Sequence, residues 1–332
     1  MLLPHLVIVT PALAAANNGN WQTARRWARM LAGHYRVRLT DAWDGGDEDL
    51  MIALHARRSA LSVAAWRAAR PGGGLRGLVL VLTGTDLYRD ISTDPQAQRS
   101  LVLADRLVVL NELGLQSLPA ALRPKASVCL QSTPQRKPRA KTAHHLRALM
   151  VGHLRDEKSP QTYFEAARLL AVRPDILLDH IGSGLDETLA AEARALMCSH
   201  PNYRWLGGLP HATTRARIQS AHVLVHASRM EGGAHVVTEA ITSGTPVLAS
   251  RIDGNLGLLG ADYAGTFDWG DAEGLAALLR RCRDDAAMLP ALQALCAARA
   301  PLFRPERERQ TLLTLLADLQ RTQHTGEAHE RP

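Results

Sequence analysis

Short apolar runs alternate along the chain with stretches in which apolar residues recur every three or four positions. The runs predict strands at Leu6–Thr10, Arg36–Thr40, Met51–His55, Leu78–Leu82 and Leu107–Leu110. The periodic stretches predict helices. In the one at 20–33, Trp21, Ala24, Trp27, Ala28 and Leu31 share a face, and Arg25, Arg26 and Arg29 lie opposite. Such a helix packs on a core; two tryptophans beside a basic face also suit a membrane surface.

The alternation stops at residues 131–147, where two prolines and a run of basic side chains read as a linker, and then resumes. Strands follow at Leu149–Gly152, Leu177–Gly182, Arg204–Leu206, His222–His226 and Pro246–Ser250. Helices follow at Gln161–Ala171, Asp186–Ser199, Thr213–Ser220, Glu273–Asp284 and, after Pro301 and Pro305, about Glu306–Gln320, with another starting in Val236–Ser243. Strand–helix alternation predicts an α/β protein with parallel, doubly wound sheets. Two such units, 1–140 and 141–305, read as Rossmann-like domains with a deep cleft between them. A helix at 306–322 is expected to pack back on the first domain, ahead of a disordered tail at 323–332. In open α/β sheets ligands sit beyond the carboxyl ends of the strands, so chemistry is sought in those loops.

At 332 residues and 46% apolar composition, two ordinary cores are affordable. The longest apolar runs are far too short to span a bilayer, and no basic segment precedes the first, so neither a span nor a signal peptide is read. Cys129, Cys198, Cys282 and Cys296 have no metal-site spacing and fit a reducing cytoplasm. The net charge of +7 is uneven: residues 1–146 carry +9 and residues 147–332 carry −2. A basic first half suits an anionic partner.

Several chemistries fall away. Gly182-Ser-Gly184 follows a strand, but Glu187 stands where a third fingerprint glycine belongs, which disfavours a dehydrogenase. No phosphate-binding G-x-x-x-x-G-K-[ST] loop and no H-E-x-x-H are present. Asp47-Glu48-Asp49 has metal–diphosphate spacing but precedes a strand, at the wrong edge, and reads as a solvated acidic loop. No metal or cofactor is expected.

The strongest signal is Glu231-Gly-Gly-Ala-His-Val-Val-Thr-Glu239. A Gly-rich turn opening a helix aims backbone N–H groups at an anion such as a diphosphate. A carboxylate one turn in can accept hydrogen bonds from vicinal hydroxyls, as on a ribose. A carboxylate ahead of the turn reaches a sugar hydroxyl or a developing anomeric charge. The same spacing also suits a plain surface helix.

This stretch resembles the E-x7-E segment of GT-B glycosyltransferases, above all the retaining family 4. VGHLRDEKSP, LDHIGSG, YRWLGGLPHATTRARIQSAHVLVHASRMEGG and the strand Pro246–Ser250 followed by Gly254 resemble further family segments in the family's order, over residues 148–280. The chain departs from the pattern at His153, where the family usually has Arg, and at Gly232-Gly233-Ala234, where it usually has Gly-Phe-Gly. NNGNWQTARRWARML, ALHARRSA, LTGTDLYRDI, RMEGGAHVVTEA and RAPLFRPERE resemble a narrower group, the selenosugar synthases of selenoneine biosynthesis.

The resemblance implies a glycosyltransferase moving a sugar, N-acetylglucosamine, from a UDP-sugar to the selenium of selenophosphate. It implies catalytic roles for Glu231, Arg155 and Lys158. Gly19, Asn20, Gly182, Gly184, Gly208, Leu209, Gly232, Gly233, Ala234, His235, Val236 and Glu239 would hold the donor. Asn18, His55, Arg57, Thr83, Gly84, Thr85 and Arg89 would hold the acceptor in the basic first domain. Partners would be these small molecules, with no nucleic acid and no stable membrane anchor. A UDP-sugar glycosyltransferase with a lipid or small hydroxyl acceptor, a UDP-sugar 2-epimerase and a noncatalytic nucleotide-sugar binder are the alternatives.

Overall fold

The structure is a computed structural model that describes residues 3–13, 19–71 and 77–329, with side chains through 321. The chain divides into two compact units, residues 1–131 with 305–332, and residues 132–304.

In the first unit the strands are β1 (His5–Val9), β2 (Arg36–Thr40), β3 (Leu50–Leu54), β4 (Leu78–Leu82), β5 (Arg106–Val109) and β6 (Ala126–Val128). They form one sheet in the order β2-β1-β3-β4-β5-β6, every pairing parallel. Its helices are α1 (Gly19–Leu31), α2 (Ala60–Ala68), α3 (Ile91–Thr93) and α4 (Pro95–Leu103), with a π turn over Asp86–Asp90. All five residues of β3 and of β4 are buried, as a sheet covered on both faces requires. One face packs Trp66 and Leu101; the other packs Trp27 and Leu31 of α1 with Leu312 and Leu316 of α12 (Pro305–His329).

The apolar face of α1 is therefore covered by sheet and helix, as a core-packed helix requires. Glu308 of α12 is buried and accepts hydrogen bonds from Trp27 Nε1 (2.6 Å) and Arg26 Nε (3.0 Å). The last helix runs to His329, so the tail expected to be disordered from 323 is helical to that point; the rest of it, 330–332, lies outside the described residues. The Asp47–Asp49 loop is structural. Buried Glu48 accepts from Arg38 Nε (2.6 Å) and Trp43 Nε1 (2.9 Å), and Asp49 accepts the His5 N–H (2.7 Å).

The second unit repeats the plan with β7 (Leu146–Val151), β8 (Ile176–Ile181), β9 (Tyr203–Trp205), β10 (Val223–His226), β11 (Val247–Ser250) and β12 (Thr266–Phe267), in the order β12-β11-β10-β7-β8-β9. Around it lie α5 (Pro160–Leu169), α6 (Glu187–Ser199), α7 (His211–Ser220), α8 (His235–Ile241), α9 (Asp253–Leu259), α10 (Ala272–Asp284) and α11 (Met288–Arg299). This is the α/β, doubly wound plan expected from the alternation.

The residues read as a linker are instead fastened to the second unit, so the break falls at Gln131–Ser132, ahead of the expected 140. Buried Arg215 of α7 donates to Thr133 Oγ1 and to the Pro134 carbonyl, Arg136 N–H donates to the Thr242 carbonyl (2.8 Å), and Gln219 donates to the Lys137 carbonyl (2.6 Å). Among the described residues no single helix is long and apolar enough to cross a membrane.

Candidate functional site

The two glutamates of the E-x7-E segment stand at the carboxyl end of the second sheet. Glu231 lies in the loop after β10, and Glu239 lies inside α8, which that loop opens. The loop after β7 supplies Lys158, whose Nζ is 2.5 Å from Glu231 Oε1. His226, the last residue of β10, places Nε2 3.5 Å from the same oxygen. Burial works against the Glu231 charge, but Lys158, His226 and the Ser228 hydroxyl outweigh it and hold the carboxyl down at about 2. Burial also lowers the His226 imidazole to about 4, so at neutral pH it is an uncharged neighbour.

Glu239 is buried and has three cationic or imidazole neighbours: His211 Nε2 at 2.6 Å, His235 Nδ1 at 3.4 Å and Arg215 Nη1 at 3.6 Å. Burial again opposes the charge, and His211, His235 and Arg215 prevail, keeping the carboxyl at about 2. Both glutamates are thus firmly ionised acceptors at any physiological pH.

Of the residues expected to be catalytic, the fold brings Glu231 and Lys158 together. Arg155 lies on the same loop, but its side chain is about half exposed and pairs with Glu157 at 4.0 Å. His153, at the departure from the family pattern, accepts the Ser183 N–H through Nδ1 (3.1 Å), and burial followed by the charges of Arg155 and Lys158 lowers its pKa.

Gly182 and Gly184 serve close packing of loops. A Cβ on Gly182 would lie 1.8 Å from the Gly152 carbonyl oxygen, and one on Gly184 would lie 2.8 Å from Ala190 Cβ. Gly208 is exposed, with Leu209 half-buried beside it; a Cβ on Gly208 would lie 2.5 Å from Ser183 Oγ. Gly232, Gly233 and Ala234 form the turn into α8, whose first residues are His235 and Val236. His235 Nε2 donates to the Ser132 carbonyl (3.2 Å).

A glycine not assigned to the site from sequence packs directly against it. Gly254 of α9 is buried, and a Cβ there would lie 1.9 Å from the Glu231 carbonyl oxygen. Gly254→Ala is expected to cost about 1–3 kcal/mol through overpacking and to push Glu231 away from Lys158. Thermal unfolding should report the first effect. A fall in kcat beyond about tenfold, a barrier increase of about 1.4 kcal/mol, should report the second; an unchanged kcat would show that the loop absorbs the methyl.

The acceptor candidates of the first unit also converge. His55 follows β3 with φ 75°, a left-handed conformation uncommon for a non-glycine residue. Its Nε2 is 3.2 Å from Thr85 Oγ1 and 3.9 Å from Asp90 Oδ2. Buried Asp86 accepts the N–H groups of Thr83, Gly84 and Ala56, each at 2.9 Å, which joins the loops after β3 and β4. Arg57 and Arg89 reach Asp90 from either side, at 3.2 and 2.9 Å, with both guanidinium groups partly in solvent. Gly19 and Asn20 open α1; Asn18 lies outside the described residues. Sequence reading missed Asp86, Asp90, His211, Arg215 and His226. Asp86 accepts from N–H groups two and three residues before it and from Ala56, the reverse of the forward Asx turn that a sequence signals, so no local pattern marked it.

Residues 132–292 match the family model described as Glycosyl transferases group 1. A curated relative, "Glycosyltransferase 1 domain-containing protein 1" of Xenopus tropicalis, is 27% identical over 281 residues, which is 75% of this chain and 79% of that protein. Among solved structures, sucrose-phosphate synthase from Thermosynechococcus elongatus aligns with a TM-score of 0.75 at 17% identity, over 96% of this chain and 99% of that one. Anabaena HepE in complex with UDP and glucose aligns with a TM-score of 0.72 at 14% identity, over 96% and 100%.

The fold is that of the GT-B glycosyltransferases. The match to the group 1 glycosyl transferase model falls within the second unit, which holds both glutamates.

Proposed function

We propose that the protein is a UDP-sugar glycosyltransferase whose acceptor is selenophosphate and whose donor is UDP-N-acetylglucosamine. The observation that carries the donor half is the pairing of Lys158 with Glu231 beside the ionised Glu239, within the stretch that matches the group 1 model. HepE, of the same fold, has been solved with UDP, with UDP and glucose, and with UDP-glucose. The acceptor half rests on the sequence resemblance to selenosugar synthases and on the basic first half of the chain, where Arg57 and Arg89 flank His55 and Thr85.

In this reading Glu239 accepts hydrogen bonds from the ribose hydroxyls. Negative charge grows on the diphosphate as it departs, and Lys158 and Arg155 meet it with fixed positive charge. Lys158 spends one N–H on Glu231 and has two left for phosphate oxygens. Glu231 faces the anomeric carbon as charge develops there. The selenium attacks that carbon while its bond to the UDP oxygen breaks, and UDP leaves with the electron pair. Water then takes the phosphoryl group from selenium, which releases inorganic phosphate. A selenophosphate anion needs no base to become a nucleophile, whereas a sugar hydroxyl does. No metal is assigned a role.

The test incubates the protein with UDP-N-acetylglucosamine or UDP-glucose, with and without selenophosphate, and follows UDP release and product mass. UDP release that depends on selenophosphate, with one selenium on the sugar, is the expected result. Equal UDP release with a lipid or sugar alcohol, and none with selenophosphate, would remove the acceptor and leave the UDP-sugar reading. Donor consumed without any acceptor would indicate an epimerase.

A further inference from the structure

We propose that His211 is a positioning residue of the nucleotide site: its imidazolium caps the buried carboxylate of Glu239, and a bound ribose displaces it, so that donor binding releases a proton. This rests on the reading of Glu239 as the ribose-binding carboxylate.

The geometry singles out His211 among the three neighbours of Glu239. Arg215 is buried and its guanidinium is committed to Thr133, the Pro134 carbonyl and Ser243. His235 spends its Nε2 hydrogen on the Ser132 carbonyl, so the Nδ1 it turns to Glu239 carries no hydrogen while the ring is neutral. His211 opens α7 with its side chain 75% exposed, yet its Nε2 lies 2.6 Å from Oε1 of a carboxylate that is itself only 5% exposed. It is the solvent-side donor on Glu239 among the described residues. A ribose arriving from solvent needs the oxygen that His211 holds.

The hydrogen bond to Glu239 raises the His211 pKa, against burial and the opposing charges of Arg215 and Arg136. A raised imidazole is fully paired below its ordinary pKa, and the pair is lost as pH rises through the raised value. Competition from His211 is therefore strongest in mild acid. Between the ordinary and the raised imidazole pKa, where binding releases up to one proton, affinity should rise by up to about tenfold per pH unit, and it should be flat below and above that window.

The experiment is calorimetric titration with UDP-N-acetylglucosamine, whose diphosphate diester does not itself titrate in this range. It runs from pH 6 to pH 8.5 in buffers of differing ionisation enthalpy, on the wild type, His211→Asn, His235→Asn and Glu239→Ala. The expected result, in the wild type and in His235→Asn, is tighter binding with rising pH and a proton release that peaks between the ordinary and the raised imidazole pKa and vanishes by pH 8.5. His211→Asn should bind more tightly than the wild type at pH 6, match it at pH 8.5 and release no proton. A flat wild-type profile with Glu239→Ala still weakened would overturn the role of His211 and spare the ribose reading. Proton release kept in His211→Asn and lost in His235→Asn would move the proton to His235 and equally overturn it. Unchanged affinity in a folded Glu239→Ala, or no binding at any pH, would sink the ribose reading and this inference together.

Discussion

Lys158→Ala is expected to lower kcat by roughly 100- to 1000-fold, the scale of losing one donor to a developing negative charge. Lys158 and Glu231 meet at 2.5 Å with side chains only 17% and 12% exposed, so neither has full water to replace the other. On the proposed reading, removing the ammonium takes one positive charge from the leaving diphosphate, and it leaves Glu231 buried beside a neutral His226. Its carboxyl must then climb back from about 2, because the burial that opposed ionisation stays while Lys158 is gone. Stability follows the same logic. A depressed carboxyl contributes stability above its ordinary pKa, lost as pH falls through the folded value. In the wild type that loss runs from about pH 4.5 down toward 2; in the variant, whose carboxyl sits closer to its ordinary value, the loss is smaller and ends at higher pH. Steady-state kinetics, with thermal unfolding across pH 3–7, separate the two effects. A folded Lys158→Ala protein with kcat intact would exclude the residue from the chemistry.

Asp86→Ala is expected to destabilise the first unit by roughly 3–5 kcal/mol, among the larger effects of single substitutions. The Asp86 side chain is wholly buried and satisfies three backbone donors from two loops. Each stranded buried donor costs about 1–3 kcal/mol, and partial relaxation keeps the total below their sum. The same carboxylate holds Ala56 beside left-handed His55, and Thr83 and Gly84 beside Thr85, so its loss also scatters the acceptor candidates. Urea unfolding measures the first effect and the KM for selenophosphate the second. Asp86→Asn keeps one acceptor oxygen and should fall between the wild type and Ala. A loss below about 1 kcal/mol in Asp86→Ala would show that water satisfies these groups.

The architecture was legible because its code is local. Val7, Met51 and Leu80 announce buried parallel strands from their immediate neighbours, and the face shared by Trp27 and Leu31 announces a packed helix. Glu231 and Glu239 stood out for the same reason, since the step of eight positions from one to the other spans only a turn and the start of a helix. Elements without local contrast escaped. β12 has two residues, and α9 carries Gly254 and Gly257, which weaken a helical pattern. The stretch 132–145 looked like free linker because its fixing partners, Arg215 and Gln219, lie some 80 positions later.

Strand alternation, two sheets and the spacing of the glutamates are properties of short windows, so the chain's order of residues determines them without reference to anything distant. Which loops meet at the carboxyl ends of the strands depends on strand order instead. Because β10 lies beside β7 in the sheet, Lys158 reaches Glu231 across 73 positions of chain. The packing of α7 against α8 sets His211 on Glu239, and the neighbouring of β3 and β4 lets Asp86 hold both of their loops. Ion pairs and buried carboxylates act over a few ångströms, a distance only the folded sheets define.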